Sequence, residues 1–302
     1  MPPKPDVSVI LCVRNGADVI ARQLDALDSQ SVSCTYEVIV IDNGSSDDTV
    51  KVIDRVIKDS THLKKICRLI DGADASGLPQ SRNLGSQRAE ADILAFCDAD
   101  DRVDAEWVQS YFDELNHQTA LLGGKVNPVD EAGRAVSVGI GEGLVATPYL
   151  LHVPGCNFAI NRRAYLEVGG FDEGLPRYGF DDVDFSWRVQ QAGYEINYVP
   201  GAIVDFTVSS NSASIRKRFY LGVGRVLMAR RYPSYDSNPY KLLPTAGKAL
   251  RQTFDFLLDT LKTKGINRKS ASQLVAQYGR VYGSILYRGK NYCPAPQLLK
   301  YQ

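Results

Sequence analysis

No stretch of this chain approaches 18 consecutive apolar residues, so no membrane-spanning helix is expected. The opening MPPKPD has neither the basic region nor the apolar core of an export signal, and a cytoplasmic location is expected. The six cysteines (Cys12, Cys34, Cys67, Cys97, Cys156, Cys293) show no C-x-x-C spacing, which argues against a zinc site or a disulfide framework and for reduced core thiols. Histidine is equally scarce. His62 and His117 read as solvated helix-face residues, and His152, just before a strand, is a candidate substrate contact. Repeats and low-complexity tracts are lacking, and the normal apolar fraction excludes disordered and fibrous classes.

Net charge is also lacking, but only in the sum. Residues 211–302 hold 17 Lys and Arg against three acids, a net +14, while residues 1–210 carry the balancing −14. An acidic body with a basic tail points to a polyanionic surface as the tail's partner.

What is present is an alternation of strands and helices. The run VSVILCV at 7–13 reads as a buried strand ending in a turn, and Ile20, Leu24 and Leu27 mark a helix that covers it. A second strand at 38–41 ends in Asp42, and Ser46 is the expected N-cap of the next helix. A third strand near 66–70 leads to GLPQSRNLG at 77–85, where Pro79 suits the first helical turn and Arg82 comes near the ligand edge of the sheet. This order is the grammar of a parallel sheet with right-handed crossovers.

The decisive stretch is ADILAFCDADDRV at 91–103, an apolar run too short for a helix that stops at Asp98, Asp100 and Asp101. Carboxylates at the C-terminal end of a parallel strand lie where open α/β sheets bind ligands. In extended backbone Asp98 and Asp100 project to one face and can share one cation. Further on, residues 154–160 read as a strand, DDVD at 181–184 opens a helix that ends at Gly193, and a last strand at 194–199 stops before Pro200-Gly201. Beyond residue 209 only helices are expected, with apolar stripes at Ile215, Phe219 and Val223, at Leu250, Phe254, Leu257, Leu258 and Leu261, and at Leu274, Tyr278, Val281 and Ile285. The expected division is a catalytic domain over 1–210 and a basic, mainly helical extension over 211–302.

Taken in order, strand-Asp42, G-x-P-x-S-R-N-x-G, strand-D-A-D-D, G-C-N-F-A-I, and G-G-F-D-E followed by D-D-x-D-F-x-x-R resemble glycosyltransferase family 2 across roughly two thirds of the chain. The resemblance implies the GT-A fold, a Rossmann-like, mostly parallel sheet flanked by helices. It implies inverting transfer of a sugar from a nucleoside-diphosphate donor, UDP-sugar first and dTDP-sugar second, to a hydroxyl of a glycan or lipid-linked acceptor. By the same resemblance, Val13, Asn15, Asp42, Arg82, Asp98, Ala99 and Asp100 bind the donor. Asp42 would accept a base N–H, since a carboxylate is an acceptor only. Asp100 would ligate Mn²⁺ or Mg²⁺ directly, with Asp98 nearer the ribose, because a hard cation on oxygen ligands offsets charge on the departing diphosphate. The family's downstream metal-ligand histidine has no counterpart at 203–207, leaving Asp205 as the candidate substitute. Asp182, with Asp181 beside it, takes the position of the catalytic base. Gly155, Cys156 and Asn157 would admit the acceptor.

The Q-x-x-R-W motif of the processive polysaccharide synthases is missing, which favours single additions in cell-envelope polysaccharide synthesis. Two other classes stay open, a sugar-1-phosphate nucleotidyltransferase and a non-catalytic nucleotide-sugar-binding protein. For the tail, docking on anionic lipid at the cytoplasmic membrane face stands beside packing on the body or on a second copy, and no nucleic-acid partner is expected.

Overall fold

The computed structural model describes residues 4–75, 77–115, 119–137, 143–208, 215–288 and 293–300; His117 and Lys290 lie outside the described residues. The first half alternates as read: β1 (Val7–Val13), α1 (Ile20–Asp28), β2 (Tyr36–Asp42), α2 (Thr49–Asp59), α3 (Leu63–Ile66), β3 (Cys67–Asp71), α4 (Leu78–Arg88) and β4 (Ile93–Asp98). The second half is less regular: β5 (Arg102–Val103), α5 (Trp107–Glu114), β6 (Thr119–Val129), β7 (Asn157–Asn161), α6 (Arg162–Glu167), α7 (Asp181–Gln191) and β8 (Glu195–Thr207). Three helices follow, α8 (Ile215–Arg231), α9 (Leu242–Thr263) and α10 (Arg268–Leu286).

The strands form one sheet in the order β3-β2-β1-β4-β7-β6-β8-β5. β1, β2, β3 and β4 run parallel, as do β6 and β8, whereas β7 is antiparallel to both its neighbours and β5 is antiparallel to β8. The sheet is therefore mixed, and β7 enters from the edge at which β1, β2 and β4 end. Register places Val13 beside Asp42 and Cys12 beside Asp98, with Cys97 opposite Asn157. Chain order reverses between β1 and β4, and that switch opens the crevice where ligands enter such sheets.

Alternation along the strands divides the core in two. Val7, Val9, Leu11 and Val13 join Leu24, Ile53 and Trp107 on one face, while Ile10, Ile39 and Phe96 join Phe158, Tyr165, Phe171 and Phe185 on the other. The second face is an aromatic stack, with Phe96–Phe158 centroids 4.4 Å and Phe171–Phe185 centroids 4.5 Å apart. Each such buried ring contributes about 1.5–3 kcal/mol.

Three expectations change. Ser46 is not the helix cap: α2 begins at Thr49, and Ser46 donates its backbone N–H to Asn15 Oδ1 instead. The last strand does not stop at Pro200-Gly201. β8 bulges there, passing from the Gly124–Val199 pair to the Lys125–Ile203 pair, and continues to Thr207. A Cβ at Gly124 would come 2.3 Å from Ala202 O and 2.5 Å from the Tyr111 hydroxyl, so the bulge is closed over a residue that must be glycine.

The stripe on α9 is not covered by the chain either. Leu250, Phe254 and Leu261 are 68, 63 and 76 % exposed. α8 does reach the body, through Trp187, Met228 and Tyr232 and a buried ion network. Arg231 pairs with Asp172 at 2.5 Å, the Tyr232 hydroxyl donates to Asp184 Oδ1, and Arg188 Nε donates to Asp184 Oδ2.

Candidate functional site

Gln23 on α1 shapes the turn after β4. Its buried amide donates to Asp98 O and accepts from Val103 N–H, clamping both ends, while Arg22 Nη2 donates to Asp100 O. Within this turn the carboxylate oxygens of Asp98, Asp100 and Asp101 lie within 4.8 Å of one another. Asp100 is exposed, Asp98 half-buried and Asp101 buried. Asp101 accepts from Thr207 N–H through Oδ1, and its buried Oδ2 has no partner. Burial, then the charges of Asp98 and Asp100, push the Asp101 carboxyl up to about 9. A group of all-oxygen donors with one orphaned buried oxygen fits a hard divalent cation and does not suit zinc. Asp205 is not part of this group; its Oδ1 faces Asn127 Nδ2 at 3.5 Å.

The second carboxylate centre lies in the first turn of α7. Phe180, in the left-handed region at φ 74°, turns the chain so that Asp181 and Asp182 begin the helix, whose N-terminal dipole favours negative charge. Asp182 Oδ2 accepts from Gly155 N–H and Oδ1 from Val183 N–H. Burial, then the Asp182 charge, push Asp181 up to about 6, with Arg82 opposing.

Arg82 joins the two centres. It is 3 % exposed, its guanidinium lies 5.2 Å from the Phe171 ring centroid, and it donates to Asp98 Oδ1 (3.0 Å), Asp181 Oδ2 (3.2 Å) and Gly155 O (2.6 Å). A buried charge with three acceptors is held in one geometry. Gly155 keeps this corner uncrowded, since a Cβ there would press on Asp182 Oδ2 at 3.3 Å and touch Arg82 Nη1 at 3.5 Å.

Both centres open into one cavity of about 670 Å³, within the range of small-molecule sites. Val13, Arg82, Asp98, Gly155, Cys156 and Asp182 line it, and so does His152, whose Nδ1 lies 3.0 Å from Val153 O. Cys156 is buried, and burial pushes its thiol well up. Asp42, beside Val13, uses Oδ2 to accept from Ser45 N–H, while Oδ1 is buried without a partner. Ala99 is buried inside the turn.

Two candidate residues serve the scaffold. Asn157 is fully buried: Oδ1 accepts from Trp107 Nε1 and the Tyr111 hydroxyl, and Nδ2 donates to Lys125 O and Ala202 O across the β8 bulge. Its hydrogen-bonding capacity is spent, so it cannot bind an acceptor. Asn15 likewise holds the 45–46 loop through Ser45 and Ser46. Other cavity residues had no motif to mark them: Arg14 and Asn43 after β1 and β2, Arg177 and Tyr178 in the loop before α7, and Lys217 from α8. Arg14 and Asn43 follow strand ends already known to face the ligand edge and could have been found by position. Lys217 could not.

The sequence profile described as glycosyl transferase family 2 matches residues 8–169, and one described as the N-terminal domain of galactosyltransferase matches residues 151–210. The chain belongs to glycosyl transferase family 2. It is 29% identical over 256 residues to the pre-mycofactocin glycosyltransferase of Mycobacterium tuberculosis, covering 76% of this chain and 49% of that protein. It is 27% identical over 232 residues to glycosyltransferase AglE of Haloferax volcanii, covering 74% of this chain and 73% of that one. The chain thus spans about half the length of the mycobacterial relative.

Among solved structures, mannosyltransferase PcManGT from Pyrobaculum calidifontis, in complex with GDP-Man and Mn²⁺, superposes with a TM-score of 0.61 at 18% identity over 94% of this chain and 87% of that one. GalNAc-T7 with UDP, GalNAc and Mn²⁺ follows at 0.57 and 18%, over 79% and 52%. These likenesses establish the GT-A fold. Family membership sets aside the nucleotidyltransferase reading.

Proposed function

We propose that the chain moves a sugar from a nucleoside-diphosphate donor, a UDP-sugar first and a dTDP-sugar second, to a hydroxyl of a glycan or lipid-linked acceptor, with inversion. The observation that carries this reading is the single cavity onto which Asp98 and Asp182 both open, with Arg82 bonded to Asp98 and to Asp181, the neighbour of Asp182. A departing diphosphate needs positive charge and an attacking hydroxyl needs a base, and the cavity offers both.

Asp98 and Asp100, with Asp101 behind them, would hold Mn²⁺ or Mg²⁺, which when bound offsets the charge of the departing diphosphate. The Asp42 carboxylate accepts the base N–H, and its orphaned Oδ1 supports that role because an unmet buried acceptor is costly until a donor arrives. Asp182 takes the proton from the acceptor hydroxyl as its oxygen attacks the anomeric carbon and the bond to the diphosphate oxygen breaks. Its hydrogen bond from Gly155 N–H fixes the carboxylate's direction. Arg82 orients Asp98 and Asp181 together.

A thermal-shift screen of UDP-, dTDP- and GDP-sugars with Mn²⁺ tests the donor, since a bound ligand raises apparent stability by mass action. Nucleoside diphosphate should be released on turnover. Asp100→Ala should abolish the Mn²⁺ dependence of nucleotide binding. Pyrophosphate release, or metal-dependent binding surviving in Asp100→Ala, overturns the respective assignment.

A further inference from the structure

Helix α9 and the outer edge of α10 place their apolar side chains the wrong way round for a unit surrounded by water, whereas α8 buries Val223, Val226, Leu227 and Met228. α8 and α10 meet through small residues: a Cβ on Gly222 would come 2.1 Å from Ala276 O, and one on Gly279 2.0 Å from Phe219 O. α10 buries Gln277, Gly279, Gly283 and Ser284 and leaves Tyr278, Tyr282, Ile285 and Leu286 exposed. α9 does the same, burying Thr245 and Ala249 while Leu243, Leu250, Phe254, Leu257 and Leu261 face outward. At 3.6 residues per turn these five fall within an arc of about 60°. Arg251 and Lys262 flank that arc on one side, with Asp255 behind them facing Arg251 at 4.0 Å, and Lys248 and Asp259 lie farther round the helix. The hydroxyls of Thr253 and Tyr278, 2.9 Å apart, join α9 to α10 along its other side.

Small residues inside and large apolar ones outside is the packing of helices whose surroundings are themselves apolar. Yet among the described residues no helix is long and apolar enough to cross a membrane. A helix with a narrow apolar stripe and a basic flank lies in the plane of a bilayer surface.

Charge selects between lipid and a second copy of the chain. Residues 211–302 carry +14, so pairing two copies through this face would set like charges against each other. Anionic headgroups would offset them, and the −14 of residues 1–210 would turn the body away from the surface. We infer that α9, with the exposed edge of α10, docks the chain on an anionic phospholipid bilayer, the leucine stripe entering the acyl boundary and Arg251 and Lys262 meeting the headgroups. Docking brings the catalytic cavity close to the lipid. Ile215 and Phe219 line a groove with Val275 and Tyr278 on one side of α8, and Lys217 lines the cavity, a helix diameter of about 10 Å away. The docking surface stands whatever sugar the site transfers.

Flotation of the full chain with phosphatidylcholine vesicles, with and without phosphatidylglycerol, tests the inference. Binding is expected on the anionic vesicles at low salt, and roughly tenfold or more weaker on phosphatidylcholine alone or at high salt. The variant Leu250→Ser/Phe254→Ser/Leu261→Ser should lose flotation with its circular dichroism unchanged. As a check that leaves the stripe intact, Arg251→Gln/Lys262→Gln should bind anionic vesicles weaker by roughly fivefold per charge removed. No flotation of the unaltered chain at low salt overturns the inference, as does flotation that neither variant reduces. Light scattering that shows a dimer abolished by the serine variant, without flotation, assigns the face to a second copy instead.

Discussion

The sheet and helix α9, with the outer edge of α10, handle apolar surface in opposite ways. Phe158 on β7 is fully buried among Phe96, Phe171 and Phe185, whereas Phe254 on α9 is 63 % exposed. Charge is divided along the same line, −14 against +14. The body uses its aromatic residues to make a rigid wall behind Arg82 and the two carboxylate centres, a role that needs complete burial. In the terminal region Tyr232, Tyr240 and Tyr287 are buried, while α9 and the outer edge of α10 keep Phe254, Tyr278 and Tyr282 outside. The two regions are tied through α8, where Arg231 reaches Asp172 and Asp184, Tyr232 donates to Asp184, and Met228 packs on Trp187.

The largest expected effect is chemical and belongs to the body. Asp182→Asn should leave donor binding intact and slow transfer by about 10²–10⁴-fold, roughly 3–5 kcal/mol of barrier. Initial rates together with a donor titration check it, and near-native turnover sinks the base assignment.

Next come two stability effects. Phe158→Ala should cost about 3–5 kcal/mol, because the aromatic stack cannot collapse into the space left. Arg231→Met, which strands the fully buried Asp172 carboxylate, should cost about 3 kcal/mol or more. Urea unfolding measures both. A single transition shifted as a whole in Arg231→Met would mean that α8 unfolds with the body, and a separate early transition would mean that it does not.

A smaller effect follows from Asp181, whose carboxyl is raised from its ordinary 3.8 to about 6. As pH rises through that window the folded state keeps a proton that the unfolded chain has lost, so this group costs stability increasingly, and in full above about 6. Asp181→Asn should therefore raise Tm above about pH 6 and leave it nearly unchanged near pH 4. Equal gains at both pH values would contradict the shift.

Phe254→Ala completes the comparison at its small end. In solution it should change stability by no more than about 0.5 kcal/mol, the ordinary range for an exposed position. A loss approaching that of Phe158→Ala would mean that the stripe is already covered in solution.

The sheet and its ligand edge were legible because strand and helix periods are local properties. The run 93–97 had to be a strand, and register then placed Asp42, Asp98 and Val13 at one edge. Roles set by long-range contacts were not legible. Asn157 stands in a turn-strand motif beside Gly155 and reads as an acceptor contact, yet its amide is consumed by a bulge formed from residues far away in sequence. Pro200-Gly201 signals a strand end, but pairing with β6 carries β8 through it. Asp101 looked like the spare member of an acidic turn until Thr207 N–H engaged one of its oxygens and left the other buried.

From its own residues the chain determined a strand-helix alternation, carboxylates at strand ends, an acidic helix start at 181–184, the charge division and an amphipathic period in α9. Each depends on neighbours within a few positions. Only the tertiary structure decided that Arg82 bridges the two carboxylate centres, that Lys217 reaches the cavity, and that the α9 stripe faces outward. Those are choices among partners far apart in sequence, settled by which surfaces and charges the folded chain can bring together.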